Sequence, residues 1–383
     1  MGLANIDIRW IEESARKAAK HQLEVLSTLQ CDVSHLEVIQ LPPTARQVPA
    51  CGVVASDAGL VSIALSPFHL ELLHVADDLG RVHVCEFFPL TTLANDLEEI
   101  FRSNKVLSEF VQRLECQWHE LSELWQTSKR HQPPMPRDVR LVADTLREIA
   151  EWAVLMELAC ETHDGEHVTG IEVGGAQLRK VVMHDGMLRS VALRNDVVQE
   201  RLPRWWREVG WREHGSIIVG VGKSSVLWHR LALSLSLDSR VRGTDYCFIP
   251  IPAEVEAQLT RNPSGRRLGF GQLVLLKTRP EELGMLLPID LPEWVFADPE
   301  LVKTVLSEVL ATCQTTFPTP GYPAPLGAAH EASRLSDFDA TIVRDLLIQA
   351  LSKELSTVEF ERMLRFWAFQ RDKWPKTGRL GRD

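Results

Sequence analysis

A mixed α/β fold, with a sheet flanked by helices and further helices added at the N-terminus and C-terminus, follows from three observations on the sequence. Apolar spacing shifts from helical to strand-like at residue 51, strand signals alternate with helical ones from residue 179 onward, and helical periodicity occupies both ends of the chain. The chain has 383 residues, 45% hydrophobic and 25% charged, which suits one large domain or two smaller ones. No apolar run approaches the ~18 residues of a membrane span.

The elements are justified in order. Residues 7–30, "DIRWIEESARKAAKHQLEVLSTLQ", carry apolar side chains at helical spacing and predict a helix within an N-terminal helical segment over 1–48. A main domain follows over 49–350. Its first part, residues 51–90, divides into three β-rich runs at a Ser-Pro turn and an Asp-Asp-Leu-Gly turn, a strand meander and therefore antiparallel. Residues 91–128 read as strongly helical, and "HQPPMPRD" (131–138) stops that helix and opens another ending near Cys160, together a helical insertion over about 91–162. "RKVVMHDGMLRSVAL" (179–193) holds a short buried strand ending at His184-Asp185-Gly186, and "GSIIVGVGKSS" (215–225) is a strand running into a helix. "DYCFIPI" (245–251) and "GFGQLVLLKT" (269–278) are further strands, with a loop at 261–271. Helices cover 299–315 and 336–371, the last opening at Ser356 with Glu359 three residues on, a capping box. Residues 351–383 form a C-terminal helix and a basic tail. Three antiparallel strands, helices, then alternating strands and helices is the order of ribonuclease-H-like folds, in which the first and fourth strands are adjacent and parallel; the analogy concerns fold alone.

The formal net charge of −10 argues against nonspecific coating of nucleic acid, which needs positive charge facing phosphates. Seven scattered cysteines without a Cys-x-x-Cys pair argue against a disulfide framework and a zinc site, and predict an intracellular, cytoplasmic protein. The N-terminus lacks an apolar signal core.

Two aspartates stand at predicted strand ends, Asp57 in "VVASDAG" and Asp185 in "VVMHDGM". As a pair on neighbouring strands they would offer hard oxygen ligands to Mg²⁺ or Mn²⁺; singly, Asp before small residues is ordinary turn chemistry. The helix over 138–161 carries Glu148, Glu151, Glu157 and Glu161, most of them expected on a solvated face. Glu157 differs, because apolar neighbours flank it in "AVLMELAC" and a bare carboxylate there is costly without a cation. "GVGKSS" fails as a nucleotide-phosphate loop, since the glycine required five residues before Gly222 is Ile217. Lys223 is left as either a phosphate contact or a surface lysine. "RLPRWWREVGWRE" (201–213) interleaves arginines with Trp205, Trp206 and Trp211, a pattern that suits single-stranded nucleic acid or, more plainly, an amphipathic segment with its tryptophans turned inward.

"GYPAPLGAAHEAS" (321–333) is a stiff, proline-set elbow leading into a helical turn that carries His330, with Tyr322 eight residues earlier. Together, "VVASDAG", the glutamate-bearing helix ahead of "VVMHDGML", "IIVGVGKSS" and above all "GYPAPLGAAHEAS" resemble the NurA nuclease family, whose last motif runs Gly-Tyr-Pro-x-Pro-Leu-x-x-Ala-His. The resemblance spans roughly residues 50 to 350. It implies a ribonuclease-H-like core, a homodimer, and Mn²⁺- or Mg²⁺-dependent cleavage of DNA, both exonuclease and endonuclease, with the hexameric ATPase HerA in end resection, repair or defence. It carries the family's aspartates onto Asp57 and Asp185 and its tyrosine and histidine onto Tyr322 and His330. His330 is then a metal ligand or a proton-transfer group beside those carboxylates. The helix glutamate is carried onto Glu157, with Glu161 second, and Lys223 would neutralise the scissile phosphate. Asp57-Ala58-Gly59 departs from the family's commoner Asp-Gly-Ser. A catalytically silent adaptor docked on the ATPase ring is the alternative, and it would tolerate loss of the carboxylates.

Overall fold

The structure is a computed structural model describing residues 8–42, 48–65, 68–89, 99, 102–121, 124, 136–161, 170–189, 191–222, 226–260, 269–280, 286–314 and 319–373. It is mixed α/β, and the chain divides into two compact units, residues 1–55 with 155–327 and residues 56–154 with 328–383.

In the first unit, α1 (Ile8–Val33) leads to β1 (Ile39–Gln40) and the opening residues of β2 (Gly52–Leu65). The end of α4 (Pro136–Cys160) is followed by a small hairpin, β5 (Ile171–Val173) and β6 (Ala176–Leu178), and by β7 (Lys180–Asp185). Next come α5 (Asp196–Trp205), a π-helical continuation (Trp206–Glu213), β8 (Ser216–Val221), α6 (Val226–Leu237), α7 (Ser239–Arg242), β9 (Cys247–Pro250) and α8 (Ala253–Thr260). β10 (Gly271–Lys277), β11 (Leu286–Pro292), α9 (Glu293–Phe296), α10 (Pro299–Cys313) and the start of α11 (Ala324–Ser333) complete it. Its strands run in the order β1-β9-β10-β11-β8-β7. β7 and β8 are parallel while β9, β10 and β11 are antiparallel, so the sheet is mixed. α1, α6 and α7 bury Val33, Leu231, Leu235 and Val241 in one apolar cluster with Ile249, Leu273, Leu275 and Leu286 of the sheet, the covering of a sheet face that burial of apolar area drives.

β2 entered from this unit is fixed at its first residues. Glu308 of α10, 5% exposed, accepts from Ala50 N (2.5 Å) and Cys51 N (3.2 Å), and Gly52 N donates to Arg179 O at 3.0 Å. Burial and the adjacent Glu308 carboxylate push the Cys51 thiol far up, so it is an inert core residue.

In the second unit, β2 continues into an antiparallel meander with β3 (Phe68–Asp77) and β4 (Val82–Pro89), as the turn signals predict. The β3–β4 turn is locked by Asp77, whose carboxylate accepts from Leu79 N, Arg81 N, Arg81 Nε and the His83 ring, while Gly80 takes a positive φ of 76°. The helices α2 (Lys105–Arg113), α3 (Trp118–Leu121), most of α4, the end of α11, α12 (Asp337–Glu354) and α13 (Thr357–Lys373) complete the unit.

Three differences from the sequence reading have physical causes. The expected helix over 91–128 is interrupted: Asn104 caps α2 by accepting from Leu107 N, and Glu115, in the left-handed region at φ 53°, ends it before α3 begins. β11 went unforeseen because Pro288 and Pro292 mark a run as non-strand, yet the strand forms against β10, and the Pro288 carbonyl accepts from Gly222 N at 2.9 Å. The β5–β6 hairpin turns at Gly174-Gly175, both at positive φ, inside a stretch read only as a connection. Among the described residues no helix is long and apolar enough to cross a membrane.

Candidate active site

In the second unit, Asp57 points to one face of β2 and is 6% exposed. α11 reaches it from the stiff segment before. Tyr322 N closes a turn onto Thr319 O, and Pro325 takes the second helical position, where a missing N–H costs no helical bond. His330 and Ser333, three residues apart, share one face of α11. His330 Nδ1 lies 2.7 Å from Asp57 Oδ2, Ser333 Oγ donates to the same oxygen at 3.1 Å, and Ala58 N donates to Oδ1 at 2.8 Å.

In the first unit, Asp185 is the last residue of β7, whose other side chains are all buried, and the strand ends level with Val221 of β8. Tyr322, 7% exposed, donates its hydroxyl to Asp185 Oδ1 at 3.1 Å. The chain leaving Asp185 is gripped on several sides. Gly186 sits at φ 154°. Leu188 N donates to Asp290 Oδ2 (3.1 Å), and Arg189 holds Asp290 with two nitrogens at 2.9 and 2.8 Å while also pairing with Glu256. A Cβ on Gly220 would stand 2.7 Å from Leu188 N, one on Gly222 2.7 Å from Met187 Sδ, and one on Gly269 2.7 Å from Leu188 O. One on Gly271 would stand 2.7 Å from the Asp290 Cβ. Gly220, Gly222 and Gly269 are thus explained by close passage of the 186–189 loop, and Gly271 chiefly by Asp290.

Glu157 is half-buried one residue before Leu158, whose carbonyl accepts from Lys180 Nζ at 2.5 Å. Lys180, 7% exposed and the first residue of β7, also takes Glu161 O at 2.8 Å, and Ser216 Oγ takes Ala159 O at 2.8 Å. This one ammonium and one hydroxyl cap the end of α4. They place Glu157 and Glu161 at the opposite end of β7 from Asp185, roughly 16 Å along at about 3.3 Å per residue. Lys223 lies outside the described residues. Trp205 and Trp206 are buried and pack edge to face, and Trp211 stacks on Trp294, so these tryptophans face inward. Sequence reasoning passed over Ser333, Asp290 and Arg189. Ser333 was visible as a hydroxyl one helical turn from His330.

No family model matches the chain, and no curated protein matches its sequence. Among solved structures, it is similar to the NurA nuclease from Sulfolobus solfataricus at 14% identity, over 92% of this chain and 99% of that one, with a TM-score of 0.42. A NurA bound to dAMP and manganese is 9% identical over 91% of this chain and 99% of that one (TM-score 0.39), and a NurA with manganese is 12% identical over 88% and 98% (TM-score 0.35). Over about nine-tenths of its length, this chain is similar to NurA nuclease structures.

Proposed function

We propose that the chain is a divalent-metal-dependent DNA nuclease in which Asp57, Asp185 and His330 hold Mn²⁺ or Mg²⁺. The observation that carries this reading is that Tyr322 and His330, set in one Gly-Tyr-Pro segment, each hydrogen-bond one of the two strand aspartates, at 3.1 and 2.7 Å. The donor set fits the ion: two carboxylates and an imidazole are hard ligands of the kind these cations take. β2 and β7 start together at the Gly52–Arg179 bond, and each aspartate lies five residues beyond its strand's first residue, Gly52 or Lys180. A ribonuclease-H-like sheet with those two strands as neighbours suits that register.

When bound, such an ion polarises a phosphodiester and generates a nucleophile from water at neutral pH. The chain's own residues orient it. Tyr322 fixes the Asp185 rotamer, and the Asp57 contact leaves Nε2 of His330 as the nitrogen open to a ligand or a proton. From α4 we assign Glu151 rather than Glu157. Glu151 is 1% exposed with Arg147 at 3.8 Å, and a carboxylate so buried is costly unless it meets cations, whereas Glu157 is half-buried beside the capped end of the helix.

The motif resemblance extends the proposal to a cytoplasmic homodimer working on DNA ends with a HerA-type hexameric ATPase, with exonuclease and endonuclease activity. The test is incubation of end-labelled linear DNA with purified protein in Mn²⁺, Mg²⁺ or EDTA, with and without a HerA-type ATPase and ATP, alongside Asp57→Ala and His330→Ala. Metal-dependent degradation abolished in both variants supports the reading. Absence of cleavage under every condition, with the ATPase still bound, replaces it with the silent adaptor.

A further inference from the structure

Ser333 touches both members of the Asp57–His330 pair. The residue is 1% exposed. Its hydroxyl stands 3.1 Å from Asp57 Oδ2 and 3.2 Å from the His330 carbonyl, and its own carbonyl meets the His74 ring at 3.2 Å. A hydroxyl has one hydrogen for two acceptors, and an ionised carboxylate is the stronger of them. The hydrogen therefore goes to Asp57. A carbonyl only accepts, so His74 carries its proton on Nδ1.

The strand surface is cut to receive this turn. In the β2–β3 pairing Asp57 stands opposite Ala76 and Gly59 opposite His74, so these four residues share one face. A Cβ on Gly59 would stand 2.0 Å from Ser333 O, which no packing adjustment on a backbone atom absorbs. Glycine thus lets the last turn of α11 settle directly on β2, two residues from the aspartate that it addresses.

The result constrains how Asp57 can act. Each carboxylate oxygen offers two lone-pair directions. On Oδ2 both are taken, by His330 and Ser333, and on Oδ1 one is taken by Ala58 N. One direction on Oδ1 is left for a cation.

We infer that Ser333, seated through Gly59 and His74, is a positioning residue that fixes Asp57 for one-oxygen binding of the divalent cation. The inference rests on the nuclease reading for its ion but addresses binding alone. Partners in this outer position typically change metal affinity 10–100-fold when removed.

The test uses the full chain and Mn²⁺ alone, by isothermal titration calorimetry, with Mn²⁺-dependence of DNA cleavage as a second readout. Ser333→Ala is expected to weaken Mn²⁺ binding and raise the half-saturating Mn²⁺ concentration by about 10–100-fold, with KM for DNA unchanged. Ser333→Thr, which keeps the hydroxyl, is expected to recover most of the loss. His74→Gln is expected to shift Mn²⁺ affinity the same way by a smaller factor, and it carries the test if Ser333→Ala does not fold. Wild-type affinity in Ser333→Ala, or in His74→Gln where that variant stands alone, overturns the inference. Mn²⁺ binding without cleavage by the wild type leaves the inference standing and removes only the nuclease reading, whereas no Mn²⁺ binding by the wild type overturns both.

Discussion

His330 and Asp57 are 273 residues apart in the chain and 2.7 Å apart in space, imidazole Nδ1 to carboxylate Oδ2. That contact closes one end of a segment whose other end is Tyr322 on Asp185.

Gly59→Ala tests the seating of α11. The added methyl meets the Ser333 carbonyl at 2.0 Å, and overpacking of this kind costs about 1–3 kcal/mol. An unfolding free energy lowered by that amount in urea titration, with Mn²⁺-dependent cleavage reduced more than stability alone explains, is the expected result.

Glu157→Gln and Glu151→Gln separate two assignments of the acidic helix residue. Glu157 lies beside the capped end of α4, with Leu158 O held by Lys180, so its amide variant is expected to keep cleavage within about 2-fold. Glu151→Gln is expected to lose about 100-fold, in the range seen for groups around metal sites. Single-turnover cleavage rates at saturating Mn²⁺ decide between them.

Arg189 answers two buried acids, Asp290 at 2.8 Å and Glu256. Removing it in Arg189→Met takes the cation from the Asp290 carboxylate, which is fully buried, and breaking a buried pair from one side costs about 3–5 kcal/mol. The double variant Arg189→Met/Asp290→Leu is expected to recover part of that loss. Equilibrium unfolding of wild type, Arg189→Met, Asp290→Leu and the double variant gives the coupling directly.

Asp77 makes stability depend on acid. Burial acts to raise its carboxyl, but hydrogen bonds from His83 and Arg81 outweigh that and hold it below the usual carboxylate value. A depressed folded-state value means that the contribution is present above the unfolded value of about 3.9 and is lost as pH falls through the folded one. Wild type is therefore expected to lose unfolding free energy below about pH 4 more steeply than Asp77→Asn, measured by urea titration at pH 3 to 6.

The meander was legible because its turns announce themselves: Asp77-Asp78-Leu79-Gly80 in the sequence is the turn that Asp77 closes in space. The pairing of the Tyr-Pro elbow with strand-end acids entered only through the motif resemblance, because stiffness says that the segment holds a fixed course but not which side chains it meets; the contacts present are Tyr322 with Asp185 and His330 with Asp57. β11 was not legible, because local rules count Pro288 against a strand and cannot see that β10 supplies its ladder. Glu157 was hard to place for a related reason. Apolar flanks indicate burial, but not which end of a neighbouring strand a helix turn meets, and that was decided by Lys180, a residue that reads as surface and is 7% exposed.

α12 and α13 have no buried side chain among their described residues, and Phe338, Leu346 and Val358 are 71%, 57% and 60% exposed. Helices that bury so little are held by caps such as Ser336 with Asp339 and Ser356 with Glu359 rather than by a core. Their amides are therefore expected to exchange with solvent deuterium through local opening far below the global unfolding free energy. α11 carries its own ties to Asp57 and to His74, so the pair that faces the proposed ion remains protected while the two helices beyond it open.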